Sequence, residues 1–242
     1  MELSKKQKFL ISVISNVVIV VILSVCALSL FFVPNRKIIQ TTNSEYNGTI
    51  YAGDKTSNNI SLMVNVYWGN EYLEKMLEIF KKYEVKTTFF VGGTWVQENG
   101  DLLKKMHTLG HEIASHGYSH KQHGKISLEE NLSEISKCHD LVKHNLKIDM
   151  GLFAPPGGSY SKNTTKAAES LGYKTIMWTR DTIDWRDQNA DLIFTRAISN
   201  ISGGDLVLMH PTKATAEALE QIILAVKQKG YNIVTVSETL AL

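Results

Sequence analysis

From Ile60 onward, short apolar runs alternate with segments in which apolar residues recur every three or four positions. The first pattern is typical of buried strands, and the second of helices that cover them. The predicted strands are 60–66, 86–92, 111–115, 151–153, 174–179, 205–209 and 233–236. The predicted helices are 71–83, 97–109, 128–144, 162–171, 190–201 and 215–230.

Seven strands that alternate with six helices indicate a parallel α/β fold. The polar residues suited to chemistry follow successive strands, all around the set. Because the carboxyl ends of parallel strands meet on one face, this arrangement favours a distorted (β/α) barrel of about seven parallel strands over an open sheet.

Residues 9–33 form an apolar run of 25 residues without a charged side chain. A helix of that length spans about 37 Å, enough to cross the core of a bilayer. Three lysines precede it, which favours a cytoplasmic amino terminus. We expect a cytoplasmic tail (1–8), a single transmembrane signal anchor (9–33), a polar linker (34–58) and a folded domain (59–242). The anchor would hold this domain at the cell membrane, outside the cytoplasm. A cleaved signal peptide is the alternative.

Charge and cysteine content remove other classes of function. Outside residues 1–37 the chain has 21 basic and 23 acidic side chains. This balance does not indicate a basic surface, so we do not expect the protein to bind nucleic acid. The two cysteines, Cys26 in the apolar run and Cys138 in a predicted helix, are not expected to form a disulfide.

The first candidate for chemistry is a group of histidines, since five of the eight lie between 107 and 123. His116 and His120 are four residues apart, which on a helical turn places both rings on one side, where they can bind a divalent metal. That spacing alone is equally consistent with a coincidence on the surface.

Three further segments follow predicted strands. Pro155-Pro156-Gly157-Gly158 predicts a rigid exposed loop, or a plain turn. The segment 181–185 holds Asp181, Asp184 and Trp185; the indole suits a sugar face, and an aspartate could orient a partner, act as a base or cap a helix. His210 ends an apolar strand and is either structural or a candidate general acid.

In this order, these segments resemble the polysaccharide deacetylase family, which shares the NodB homology domain. The resemblance covers roughly residues 60–242. It rests on Ser61–Val66, Phe89-Phe90, Gly110–Ile113 before His116 and His120, Pro155-Pro156, Asp181–Trp185 and Leu208-Met209-His210. Tyr67-Trp68-Gly69 is similar to the first motif of the spore-associated members, which carry an amino-terminal anchor.

Members of this family remove acetyl groups from glycans such as chitin oligomers, peptidoglycan or xylan, using a divalent metal, often zinc. The resemblance implies that His116 and His120 bind the metal and that His210 is the general acid. It implies that the motif containing Asp184 and Asp181 orients the catalytic groups. The glycan is expected to contact Pro155, Pro156, Tyr160 and Trp185.

Three positions depart from the family pattern. Asn65 stands where the family has its base, Val66 where it has a metal-binding aspartate, and Ala154 where it has an arginine. One hypothesis is a rearranged metal-dependent deacetylase of cell-wall glycan, in which Asp181 or Asp184 replaces the base and Arg180 or Arg186 the arginine. In it, Asn65 orients a water or offers its oxygen to the metal. The rival hypothesis is a catalytically inactive glycan-binding module.

Overall fold

The computed structural model describes residues 48–242, the strand Glu45–Tyr46 and Lys6. Thr41–Leu242 forms one compact unit. Among the described residues, no helix is both long and apolar enough to cross a membrane. The predicted anchor, residues 9–33, lies outside the described part of the chain.

The seven predicted strands are all present, and three short strands join them. In chain order they are β1 Glu45–Tyr46, β2 Thr49–Ile50, β3 Asn59–Val66, β4 Thr88–Val91, β5 Glu112–Ser115, β6 Leu152–Phe153, β7 Lys174–Ile176, β8 Arg180–Asp181, β9 Leu206–Met209 and β10 Asn232–Ile233.

The helices lie between the strands as the periodicity predicts. They are α1 Asn70–Lys82, α2 Gly93–Glu98, α3 Gly100–Thr108, α4 Leu128–Leu146, α5 Lys162–Ser170, α6 Ala190–Ile198, α7 Lys213–Gln228 and α8 Val236–Leu240. Short 3-10 turns occupy His123–Lys125 and Pro156–Gly158.

The strands form one curled sheet in the order β1-β2-β7-β6-β5-β4-β3-β9-β8, with β10 also paired to β3. The pairings are parallel except that of β1 with β2. Two contacts link opposite parts of this order: Ala52 bridges Asp205, and the Gly53 N–H donates to the Gly204 carbonyl at 2.8 Å. The parallel α/β sheet therefore has the curvature expected of a distorted barrel.

Strand β3 separates two apolar layers. Its even-numbered residues, from Ile60 to Val66, pack in the outer cluster with the helices, whereas Met63 packs in the inner cluster with Phe90 and Leu208. Successive side chains of a strand point to opposite faces. Asn65 therefore faces the interior of the curled sheet, and Val66 lies in the outer layer.

Two elements differ from the sequence-based expectation. The predicted strand 233–236 ends at Ile233, because Thr235 and Glu238 form a capping box for a helix that begins at Val236. The Glu238 N–H donates to the Thr235 hydroxyl at 3.2 Å, and the Thr235 N–H donates to the Glu238 carboxylate at 2.9 Å. In the stretch expected to be a linker, Thr49–Ile50 forms a strand that pairs with β7.

Candidate functional site

A cavity of about 370 Å³ opens at the carboxyl ends of the parallel strands. In an α/β barrel this face collects the side chains that follow each strand. Six of the predicted site residues line it: Asn65, His116, His120, Asp181, Trp185 and His210. The other lining residues are Trp68, Gly157, Trp178 and Leu208.

His116 follows directly after β5 and is 1% exposed. Its Nδ1 lies 2.7 Å from the carbonyl oxygen of Ala154. A carbonyl only accepts, so Nδ1 carries the proton and Nε2 keeps its lone pair. Burial, followed by the positive charge that a protonated His120 would carry, holds the pKa of His116 well below its usual 6.5. The ring is therefore a neutral acceptor at the cavity.

His120 joins His116 through a loop rather than through the helical turn that the spacing suggested. The two ring centroids lie 5.2 Å apart, and His120 has a φ of 56°, in the left-handed region. Burial, with the nearby His210, also lowers the pKa of His120. The two imidazoles line the same cavity, as predicted. The predicted helical turn between them is wrong, because a loop connects them.

Glu134 of α4 holds this loop, a role that the sequence-based reasoning missed. Its carboxylate accepts from the N–H groups of Tyr118 and Ser119, at 3.1 and 2.7 Å, and from the Ser119 hydroxyl at 2.6 Å. The available signal was an acidic residue on the buried side of α4, next to Ile135. A buried carboxylate needs such partners.

His210 is oriented by Asp184, which is fully buried. The Asp184 carboxylate accepts from the His210 backbone N–H at 2.6 Å, from His210 Nδ1 at 2.7 Å and from the Thr215 hydroxyl at 2.6 Å. Because Nδ1 donates to this carboxylate, Nε2 is the ring nitrogen left for the cavity. Thr215, at the start of α7, was not predicted.

The two aspartates proposed as replacement bases are in different surroundings. Asp181 lines the cavity, and its Oδ1 accepts from the Ile183 N–H at 2.8 Å. Asp184 has both oxygens occupied by His210 and Thr215. Asp181 is therefore the carboxylate that a ligand in the cavity can reach.

The two arginines expected to fill the gap at Ala154 are bound elsewhere. Arg180 donates to Asp205 at 2.7 Å and also to the carbonyls of Ser199 and Asn200. Arg186 donates to Asp187 at 2.8 Å. Neither fills the gap, contrary to that hypothesis, because these partners already bind both guanidinium groups.

Tryptophans form the rim of the cavity. Trp185 is 55% exposed and Trp68 is 45% exposed, although both are large and apolar. The Trp68 ring is nearly parallel to that of His210, with centroids 6.0 Å apart and 6° between the planes. Exposed indole faces suit the apolar faces of sugar rings. Of these two residues, the sequence predicted only Trp185 as a glycan contact.

The proline loop contributes its glycine to the cavity. Gly157 lines it, whereas Pro155 and Pro156, at the start of the turn Pro156–Gly158, are buried and are not among the lining residues. Tyr160 forms a hydrogen bond between its hydroxyl and that of Tyr51, at 3.0 Å. Contact of these two prolines and Tyr160 with a glycan remains a prediction.

A family model described as polysaccharide deacetylase matches residues 52–176. The chain belongs to the polysaccharide deacetylase family.

Within this family, curated relatives include both enzymes and proteins without an assigned activity. The chain is 41% identical over 191 residues to the uncharacterized protein YlxY of Bacillus subtilis; the match covers 79% of this chain and 60% of YlxY. It is 33% identical over 175 residues to a peptidoglycan-N-acetylglucosamine deacetylase of Bacillus cereus, covering 70% of this chain and 82% of that enzyme.

Solved structures of the family include a similar protein described as a pseudoenzyme. The crystal structure of BA3943 of Bacillus anthracis, described as a CE4 family pseudoenzyme, has a TM-score of 0.78 and 37% identity, over 81% of this chain and 70% of that one. A mutant of BA3943 is described as having restored enzymatic activity; it is 36% identical over 81% of this chain and 72% of that one, with a TM-score of 0.78.

The donor set of this polysaccharide deacetylase domain does not match a three-ligand zinc site. Among the described residues, no group of three or more His, Cys, Asp and Glu is placed to hold a metal. His116 and His120 supply two nitrogens, and the third position of the family is Val66, in the outer apolar cluster. A catalytic zinc site uses three protein ligands and a water, so this set is one ligand short.

Proposed function

We propose that the domain binds an N-acetylated cell-wall glycan in the Trp-lined cavity and does not hydrolyse it efficiently. The observation that carries this proposal is that neither residue at the end of β3 supplies a carboxylate to the cavity. Asn65 lines the cavity with a neutral amide, and Val66 packs in the outer apolar cluster. The relation to a peptidoglycan-N-acetylglucosamine deacetylase supports the class of glycan.

Binding needs groups that the cavity has. Trp68 and Trp185 offer flat apolar faces at the rim, and His210 presents Nε2 for a hydrogen bond with a sugar hydroxyl. His116 offers a second acceptor because its Nδ1 proton is held by Ala154. The two imidazoles are fixed by their buried partners Asp184 and Ala154, so they lose little side-chain freedom when a ligand binds.

Hydrolysis needs a general base, and the cavity has none at position 65, where the family has its aspartate. A general base contributes about 10²- to 10⁴-fold to a rate, and a carboxamide such as Asn65 does not take a proton near neutral pH. Burial keeps the pKa of His116 low, which makes its ring a weak base.

A second candidate function is metal-dependent deacetylation with Asp181 as the base. It is favoured by one observation, the complete hydrogen-bond set of Asp184, which orients His210 as a general acid would be oriented. A divalent metal, if it is bound by His116 and His120, would polarise the acetyl carbonyl. This function predicts acetate release that depends on added zinc and is lost in Asp181→Asn.

Glycan binding is tested by titrating the full chain with N-acetylglucosamine oligomers and peptidoglycan fragments in a calorimeter. We expect Trp185→Ala to weaken binding by about tenfold or more, as loss of a large aromatic contact does. Leu224→Ala is the matched control, because Leu224 is 48% exposed on α7 and does not line the cavity. No binding by the wild type, or equal effects of the two variants, would contradict the proposal.

We also propose that residues 9–33 hold the domain at the outer face of the cell membrane. The support is the uncharged length of this segment and the lysines before it. The test is protease treatment of intact cells: the domain should be digested without lysis. Protection until the cells are lysed would contradict this location.

A further inference from the structure

A second cavity lies at the end of the barrel opposite the Trp-lined cavity. This basal pocket has a volume of about 420 Å³ and is lined mainly by residues at or before the starts of β5, β6 and β7 and by residues of α8 and after it. Glu112 is the first residue of β5, whereas His116 of the Trp-lined cavity follows the far end of that strand. Among the described residues, none lines both cavities. A ligand of the basal pocket would therefore not compete with the proposed glycan.

His111 gives the basal pocket a buried donor that the protein does not use. The residue is 3% exposed, and its Nδ1 accepts from the Thr87 N–H at 3.3 Å, so Nε2 carries the proton of the neutral ring. Nε2 has no acceptor in the described part of the chain, and it is not one of the five unpaired side-chain atoms there that are closed to solvent. Because His111 lines the pocket, this N–H is left for a ligand that accepts a hydrogen bond.

The His111 ring is held in one orientation by two aromatic neighbours. Its centroid lies 5.5 Å from that of Phe80 and 5.1 Å from that of Phe89, both edge to face. The Thr87 N–H fixes the third side of the ring. A donor fixed in this way loses little freedom when a ligand binds.

The carboxylates of the basal pocket are already occupied. Glu112 accepts from the Thr88 hydroxyl and from both the N–H and the hydroxyl of Ser237. Asp149 accepts from Lys143 at 2.6 Å. Neither is therefore free to bind a cation, and their hydrogen-bond partners offset their charge.

The unpaired charges at the basal pocket are positive. Lys174, exposed at the start of β7, lines the pocket and forms no salt bridge with any residue that the structure describes. Lys86 lies close enough to His111 for its charge to contribute to the low pKa of that ring. Met150 and Leu152 add buried apolar side chains to the same lining. The pocket thus combines a buried donor, a free cation and an apolar wall.

We propose that the basal pocket binds a small organic carboxylate with an apolar chain. The carboxylate accepts the His111 Nε2–H and is attracted by the Lys174 ammonium, and the chain packs against Met150 and Leu152. This site is separate from the proposed glycan site, so each can be tested without the other.

The test compares two ligands of nearly the same shape, of which one is charged. The full chain is titrated at pH 7 with hexanoate and with hexanamide, and the ring nitrogen signals of His111 are followed by NMR. Hexanoate should bind about threefold more tightly, because it alone has the charge that Lys174 attracts. Saturation should shift the His111 Nε2 signal, since that nitrogen donates to the ligand.

Two lysine variants separate the pocket from a general effect of charge. Lys174→Gln should lower hexanoate affinity by about 2- to 5-fold, the value of one exposed charge pair, and leave hexanamide affinity unchanged. Lys125→Gln is the matched control, because Lys125 is exposed and lines neither cavity; it should bind both ligands as the wild type does. Equal losses in the two variants would overturn the proposal.

His111→Asn tests the buried donor, because the shorter side chain does not replace Nε2. It should weaken hexanoate binding by about tenfold, as loss of a hydrogen bond to a charged group does. Thermal unfolding at pH 7 shows whether this variant is folded, and the wild-type His111 signals decide the question if it is not. Absence of saturable hexanoate binding, equal affinity for hexanamide, or saturation without a shift of the His111 signal would overturn the proposal.

Discussion

At the residue scale, Asp184 and His210 form the best-connected polar pair of the cavity wall. The three hydrogen bonds that Asp184 accepts come from two elements, the end of β9 and the start of α7. Each donor is committed to an acceptor that is fully buried. The carboxylate therefore fixes the His210 ring and also joins a loop to a helix.

Asp184→Asn should lower the free energy of unfolding by about 2 to 4 kcal/mol, because an amide N–H₂ would face donors and break a buried network. Urea unfolding measures this difference. Asp181→Asn is the matched control and should cost less than about 1 kcal/mol, since Asp181 is only half-buried. Similar losses in the two variants would show that the Asp184 network does not stabilise the domain.

The sequence motifs and their resemblance to a known family named side chains that meet in the cavity, but not their states. His116 and His120 were predicted from their four-residue spacing and His210 from the end of an apolar strand, and the cavity contains all three. The tautomer of His116 depends on the Ala154 carbonyl, 38 residues away along the chain. Such a partner is set by strand pairing and not by local pattern, which is also why Thr215 was missed.

At the element scale, the periodicity predicted the seven main strands and the order of the helices. It failed where a local capping signal overrides an apolar run. Thr235 and Glu238 form a capping box, so Val236 begins a helix although it belongs to an apolar stretch. The strand Thr49–Ile50 was missed because two residues are too short to show an alternating pattern.

Helix α8 is held at the end of the barrel opposite the cavity. Val236 and Leu240 pack in the inner apolar cluster. Glu112, the first residue of β5, accepts from the Thr88 hydroxyl at 2.5 Å, from the Ser237 N–H at 3.2 Å and from the Ser237 hydroxyl. The carboxylate thus ties α8 to the starts of two strands.

Glu112→Ala should destabilise the domain by about 1 to 3 kcal/mol, because the donors of Thr88 and Ser237 lose their acceptor. Denaturant unfolding measures the loss. Glycan affinity in the same variant should stay at the wild-type value, since Glu112 lies at the far end of its strand from His116. A variant with normal stability, or one that loses glycan affinity while folded, would be inconsistent with this role.

At the scale of the whole molecule, stability should depend on pH through buried histidines. Burial lowers the pKa of His111, His116, His120 and His123. For His111 the folded pKa is about 4 against 6.5 for the free side chain, with the charge of Lys86 as the second cause. Below pH 6.5 the His111 side chain binds a proton in the unfolded chain but not in the folded one. The free energy of unfolding is therefore highest above pH 6.5 and decreases toward pH 4.

His111 alone should account for about 3 kcal/mol of this fall. Its Nδ1 accepts from the Thr87 N–H at 3.3 Å, and Asn can place an oxygen near that position. Urea unfolding of wild type and His111→Asn between pH 7 and pH 4 tests the assignment. The variant should lose part of the pH dependence; an unchanged slope would assign the fall to other groups.

The residues at the end of β3 carry the proposed function, glycan binding without efficient hydrolysis. The family pattern that the sequence resembles has an aspartate at each of these two positions, where this chain has Asn65 and Val66. A mutant of the similar protein BA3943 is described as having restored enzymatic activity. Placing the two family aspartates at positions 65 and 66 tests whether activity can be restored in this chain.

The measurement is acetate release from N-acetylglucosamine oligomers with added zinc, for the full-length wild type and for the double variant Asn65→Asp, Val66→Asp. The proposed function predicts background release from the wild type, equal to that of His210→Ala, and zinc-dependent release from the double variant. Acetate release by the wild type that His210→Ala abolishes would contradict it and would establish a deacetylase that works without the two aspartates.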